Sequence, residues 1–170
     1  DDAITGIAVS FSIVMEGWAG AGAVVVNQID TITKSFVTNQ SDIKVKAGSA
    51  TLETKDDSVI VGIAGALAYG GKTVGIGASV VVSLIDKVVQ AFIKNSDVIT
   101  TGLLKLTAFT DANIITVAIA IAISKGSMAL AISVTVVMIE AETSVYISGK
   151  KSGGKGIEAA GGVELEAHDD

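Results

Sequence analysis

The chain has no cysteine, no proline and no arginine, a single histidine, and only one Trp, two Tyr and four Phe among its 170 residues. Each absence removes a class of explanation. Without cysteine there are no disulfides and no thiol chemistry, and the compartment stays open. Without proline nothing interrupts a β-ladder, since proline is the residue that removes a ladder donor. All twelve basic residues are lysine, they are scattered, and the net charge is −6. Nucleic acid is therefore not an expected partner, because phosphate binding wants clustered cations and base reading favours guanidinium forks. With so few aromatics, the 49% hydrophobic content has to build its core from Val, Ile, Leu and Ala. Glycine and β-branched residues run through the apolar stretches, which speaks against long helices and for strands.

What is present is a threefold repeat. Ala19-Gly-Ala-Gly-Ala-Val-Val-Val-Asn-Gln-Ile-Asp30, Gly75-Ile-Gly-Ala-Ser-Val-Val-Val-Ser-Leu-Ile-Asp86 and Ala129-Leu-Ala-Ile-Ser-Val-Thr-Val-Val-Met-Ile-Glu140 share one pattern: small residues, a β-branched run, then Ile and an acid. Phe36-Val37, Phe92-Ile93 and Tyr146-Ile147 hold the same place downstream. Self-similarity at a period of roughly 55 residues reads as an array whose units bury their apolar faces by stacking. The expected units are residues 1–57, 58–111 and 112–170. Glu164 to Asp170 resembles Ala50 to Asp57, and Asp1-Asp2-Ala3-Ile4 resembles Asp56-Asp57-Ser58-Val59, so the chain reads as an internal piece of a longer array.

Three strand regions are expected per unit. The first covers Val59 to Tyr69, Ile4 to Val14 and Asn113 to Ile123. Its small face is Ala8, Ser10, Ser12, then Ala64, Ala66, Ala68, then Ala118, Ala120, Ala122. Ile119, Ile121 and Ile123 form the other face. Period two with two uncharged faces predicts a strand covered on both sides, and the small face predicts close approach of another backbone layer. Turns follow at Glu16-Gly17, Gly70-Gly71-Lys72 and Lys125-Gly126-Ser127. The second strand runs from Val74 to Ile93 with a bend expected near Asp86. A polar loop comes next, at Asn39 to Asp42 and Asn95 to Asp97, and expands to Ser148 to Lys155 in the third unit; these loops are expected to project. The third strand is Leu103 to Phe109, with one wet face.

Mean hydropathy of +0.62 raises the question of a membrane. The most apolar stretch, Ile114 to Ile139, is broken at Ser124 to Ser127, and each half falls short of the roughly 20 residues of a spanning helix. One Trp and two Tyr cannot make the aromatic girdles of an outer-membrane barrel, so membrane insertion is not expected.

Residues with chemical potential are sparse. His168 has no second imidazole to join it in a metal site or triad and reads as a solvated residue. Asp56-Asp57, Asp111 and Asp169-Asp170 recur at the unit boundaries; stacked acids suit Ca²⁺, but solubilising turn residues are the expected reading. Gly153-Gly154-Lys155-Gly156 misses the spacing of a phosphate loop. Gly75-Ile-Gly77 lacks the third glycine and the helix of a dinucleotide fold. Asn39-Gln-Ser41 matches a glycosylation acceptor. Trp18 sits at a turn and is expected to cap a sheet edge. No catalytic, cofactor-binding or metal-binding residue is assigned, and an enzyme is not expected.

The segment Gly75 to Ile93, with its Gly/Ala lead, alternating Val, Ile-Asp pair and Ala-Phe-Ile ending, resembles the repeat region of the leukotoxin and filamentous-haemagglutinin-like exoproteins of Gram-negative bacteria. Thr100-Thr-Gly-Leu-Leu-Lys-Leu-Thr-Ala108 fits their Thr/Gly turn and following strand, while Ile-Glu in the third unit and the Lys/Gly insertion depart from the pattern. The resemblance implies an all-β repetitive solenoid, parallel and β-helix-like, in a giant adhesin secreted to the cell surface, with no catalytic residue. An antiparallel β-sandwich or β-roll array is the alternative fold. The expected role is a structural shaft or spacer whose partners are itself, end to end, and host surfaces or other cells; the alternative is a carbohydrate- or host-protein-binding module using the loops.

Overall fold

A computed structural model describes residues 2–170. The order of elements is β1 (Asp2–Val14), β2 (Ala19–Val37), β3 (Asp42–Val45), β4 (Ala50–Gly70), β5 (Val74–Lys94), β6 (Asp97–Thr100), β7 (Leu104–Ser124), β8 (Met128–Ser148), β9 (Ile157–Ala159) and β10 (Val163–Asp169). They form three parallel sheets, ordered β1-β4-β7-β10, β2-β5-β8 and β3-β6-β9. The protein is an all-β parallel solenoid, and each repeat is one large coil contributing one strand to each sheet. The antiparallel alternative is excluded, because the described strands pair in parallel with the equivalent strand of the next coil.

Register follows the repeat. Asp30 lies beside Asp86 and Asp86 beside Glu140, while Phe36, Phe92 and Tyr146 stack with ring centroids 5.4 and 5.0 Å apart. Ala8, Ala64 and Ala118 share one row. At the start of the chain the register differs by one from the sequence alignment: Asp2 pairs with Ser58, not with Asp57. Asp1 lies outside the described residues.

Two expectations are corrected. The Leu103–Phe109 and Asn113–Ile123 regions are one strand, β7, and Ala50 to Gly70 is likewise unbroken. Asp56, Asp57 and Asp111 therefore sit inside strands, because the alternation of the first region continues through them. The long second strand is present as β5, which runs unbroken through Asp86 with Ser83, Ile85, Lys87 and Val89 all pointing inward. A short third sheet, β3-β6-β9, occupies ground that reads as loop in the sequence; strands of three or four residues are too short to show a period.

The coil has two parts. In the base all three sheets meet around Val89, Ala91, Ile93, Val98, Leu104, Leu106 and Ala108. Beyond Asp56 and Lys87 the third sheet is absent, and the first two lie against each other as a fin. Here most inward residues are small, and β4 and β5 carry Cα atoms within 8 Å of each other, closer than the roughly 10 Å of ordinary stacked sheets. Gly77 shows why: a Cβ there would lie 2.8 Å from the backbone oxygen of Ile121. The predicted close approach on the small face is present. The predicted cover on the other face is not, since Ile119, Ile121 and Ile123 point outward and are exposed.

Candidate functional site

Two features distinguish this coil from a plain stack: the insertion of the third repeat and the belt of acids between base and fin. The insertion, residues 149–156, does not project. It folds back along the stack because Asp97, at the start of β6, collects its backbone N–H groups. Lys151, Lys155 and Gly156 donate to the Asp97 carboxylate at 3.3, 2.9 and 2.8 Å. Burial pushes the Asp97 pKa up, but these three N–H donors and the Lys151 charge outweigh it and hold the carboxyl below the ordinary aspartate value. Gly154 lies so close to this carboxylate that a Cβ would collide with its oxygens. One coil further on, Gln40 Oε1 accepts from the Ser152 N–H at 2.8 Å, and Lys151 Nζ lies 3.8 Å from Asp42. The result is an open hollow lined by Asp42, Lys44, Asp97 and Lys151 to Lys155.

This geometry settles the phosphate-loop likeness of Gly153 to Gly156 in physical terms. Of the N–H groups that would cradle an anion, those of Lys155 and Gly156 are held by the Asp97 carboxylate and that of Gly154 by the Lys151 carbonyl. Gly75 and Gly77 open β5 and pack against the Ile123 and Ile121 carbonyls, with no helix after them.

The acids sit in rows across the outer faces at the base of the fin. Asp57 and Asp111 are neighbours in the first sheet, and Asp30, Asp86 and Glu140 in the second. Among the described residues no group of three or more His, Cys, Asp and Glu is placed to hold a metal ion. Asp57 accepts instead from Lys55 Nζ at 2.7 Å. That hydrogen bond, reinforced by the charge of Asp57, raises the Lys55 pKa.

Asp56 points inward and is buried. Its Oδ1 lies 2.5 Å from the Nζ of Lys87, which is fully buried, and its Oδ2 accepts from Thr33 Oγ1 at 2.6 Å. Lys87 Nζ also donates to the Asp111 backbone oxygen at 3.0 Å and to that of Asp56 at 3.2 Å. Burial alone would raise the Asp56 pKa; hydrogen bonds from Lys87, Thr33 and Ser58 reverse that and lower it. Sequence reading placed Asp56 in an exposed turn. Residue spacing cannot reveal the pair, because its two members lie 31 residues apart on different sheets.

His168 stacks on Phe109 with centroids 5.2 Å apart and pairs with Asp170 at 2.8 Å, exposed as expected. Asp169 closes β10 and Asp170 follows it. Asn39 and its equivalent Asn95 both take a left-handed backbone at their turns. Trp18 caps nothing: it is 74% exposed at the outer tip of the fin.

No family model, curated protein or solved structure matches the chain.

Proposed function

We propose that the chain is a shaft or spacer segment of a large surface exoprotein, secreted to the bacterial cell surface and built to provide length. The observation that carries this reading is the in-register parallel pairing of one coil on the next across all three sheets. Stacking in one dimension at about 4.8 Å per coil makes a stiff rod whose length grows with repeat number. The strands of the outermost coils, β1 to β3 on one side and β8 to β10 on the other, carry free ladder edges in this chain. End-to-end association with another copy, or continuation into further coils, satisfies them. No cofactor or catalytic group is required for such a role.

Small-angle scattering on this chain and on one with twice as many coils, each over a dilution series, tests the reading. A thickness along the stacking axis that grows by about 4.8 Å per coil, while the outline of the coil, set by 21-residue strands about 70 Å long at about 3.3 Å per residue, stays constant, supports a shaft. A longer chain that forms a wider, closed body defeats it. The second reading, a carbohydrate- or host-protein-binding module, draws on the Asp97-pinned insertion and its hollow. It requires that deleting residues 149–156 abolish adhesion to host cells while preserving the fold.

A further inference from the structure

The fin is inside-out. Its inward rows are mostly Gly, Ala, Ser, Thr and Asn, with Val25, Val81 and the Ile29, Ile60 and Ile85 cluster among them, while most positions of its outward rows are bulky and apolar. On the first sheet these include Ile7, Val9, Phe11 and Ile13 in β1, then Val59, Val61, Ile63 and Leu67 in β4, then Ile115 to Ile123 in β7. The second sheet presents Val24 and Val26, then Val80, Val82 and Leu84, then Leu130 to Met138. Thr5, Asn113 and Gln28 are the polar residues in these outward rows, and no charge interrupts them.

Four observations point to one occupant. First, both faces are apolar, so a single protein partner on one face would leave the other in water. Second, the bands on the two faces stop at the same height. Asp57 and Asp111 close one, and Asp30, Asp86 and Glu140 the other; the Asp56–Lys87 contact joins the two sheets at that level. Third, the opposite end is also closed by charge, at the tip turns carrying Glu16, Lys72 and Lys125. Fourth, Val59 to Tyr69 spans about 33 Å at about 3.3 Å per residue, against a bilayer hydrocarbon core of about 30 Å. Trp18 and Tyr69 lie at the tip end, where amphipathic rings favour a membrane–water boundary.

We infer that the fin is a lipid-contacting plate that sits in the hydrocarbon core of a bilayer, with the acid belt and the base outside it. The inference does not depend on the shaft reading. A stacked coil meets the main condition for such a place: the backbone groups of an internal coil bond to the coils on either side, so lipid meets only side chains. The edges of the outermost coils are covered by further coils or by a second copy. Scarce aromatics exclude the girdles of a closed barrel, whereas here the apolar faces belong to two sheets pressed back to back. Because the belt is acidic and the chain carries −6, neutral headgroups are the fitting surface.

Trp18, the sole Trp, reports on the tip. The purified chain is mixed with phosphatidylcholine vesicles, with and without a fraction of phosphatidylglycerol, and assayed by flotation and by Trp fluorescence. Expected are co-flotation with the neutral vesicles, a blue-shifted Trp18 quenched by lipids with brominated acyl chains, and weaker binding to the anionic vesicles. Val82→Lys and Val117→Lys, outward substitutions on opposite faces, should each cut vesicle binding at least tenfold while the far-ultraviolet circular dichroism stays that of the parent. Phe92→Ser, outward on the base, should leave binding unchanged. Three results overturn the inference: no flotation with neutral vesicles, binding to anionic vesicles only, or a Trp18 shift that follows protein concentration without lipid, which assigns the faces to a second copy.

Discussion

Lys87 and Asp56 form the one fully inward ion pair among the described residues, with Nζ and Oδ1 2.5 Å apart at the level where the solenoid narrows from three sheets to two. Above it Ile29, Ile60 and Ile85 form a small cluster, and below it lies the core of the base. The pair spans the two sheets that diverge there, and its remaining hydrogen-bonding capacity goes to Thr33, Ser58 and two backbone oxygens.

Removing one partner leaves a buried charge without compensation. Lys87→Met should therefore cost about 3–5 kcal/mol of unfolding free energy. The double variant Lys87→Met/Asp56→Leu, in which neither charge is left alone, should recover most of that loss. Urea denaturation of the three proteins checks both; a single variant as stable as the parent defeats the account.

The same carboxylate sets an acid response. Its folded pKa is lowered, below the unfolded value of about 3.9. Its contribution is thus fully present above about pH 4 and lost as pH falls through the folded pKa. Asp56→Asn should flatten the acid limb of the stability–pH curve. Thermal melts between pH 7 and pH 2 on both proteins would reveal the difference, and an unchanged limb would exclude Asp56 as a source.

Gly77 fixes the spacing of the fin. With a Cβ placed 2.8 Å from a backbone oxygen, no rotamer offers relief, so the sheets have to separate. Gly77→Val should lower stability by about 1–3 kcal/mol despite its better strand propensity. The outward Ala78→Val, one residue along the same strand, should cost little. Equal effects at the two positions would refute the close packing.

Asp97 holds the insertion down through three backbone donors. Asp97→Ala should release residues 149–156 and expose Lys150, Lys151 and Lys155 to trypsin, raising the rate of cleavage there severalfold while the coil stays folded. Hydrogen exchange at the Lys155 and Gly156 amides should quicken in parallel. Unchanged protection would show that the loop is held by other contacts.

Much of this arrangement was legible in the residues. The rows Asp30–Asp86–Glu140 and Phe36–Phe92–Tyr146 follow from the repeat because a parallel solenoid places equivalent residues one above another. The small face Ala64, Ala66, Ala68 marks close approach wherever a strand carries it. The pinning of the insertion by Asp97 was not legible: it joins residues 54 to 59 positions apart through backbone donors, which leave no mark in residue type. Nor was the short third sheet.

The sequence by itself determined the strand period, the repeat, the register of β2, β5 and β8 and the division of each fin strand into a small and a bulky face. Only the tertiary structure decided which face is inside. Alternation creates two sides without ranking them, and the habit of placing bulky residues within would have covered Ile119 and Val82. With only two sheets in the fin, the inner space is as thin as the residues filling it. The small rows close that gap, and the large ones are left outward because no third layer exists to receive them. One coil per repeat has a similar origin: the strand continues through Asp56 and Asp57 because Lys87, on another sheet, neutralises the acid that points inward.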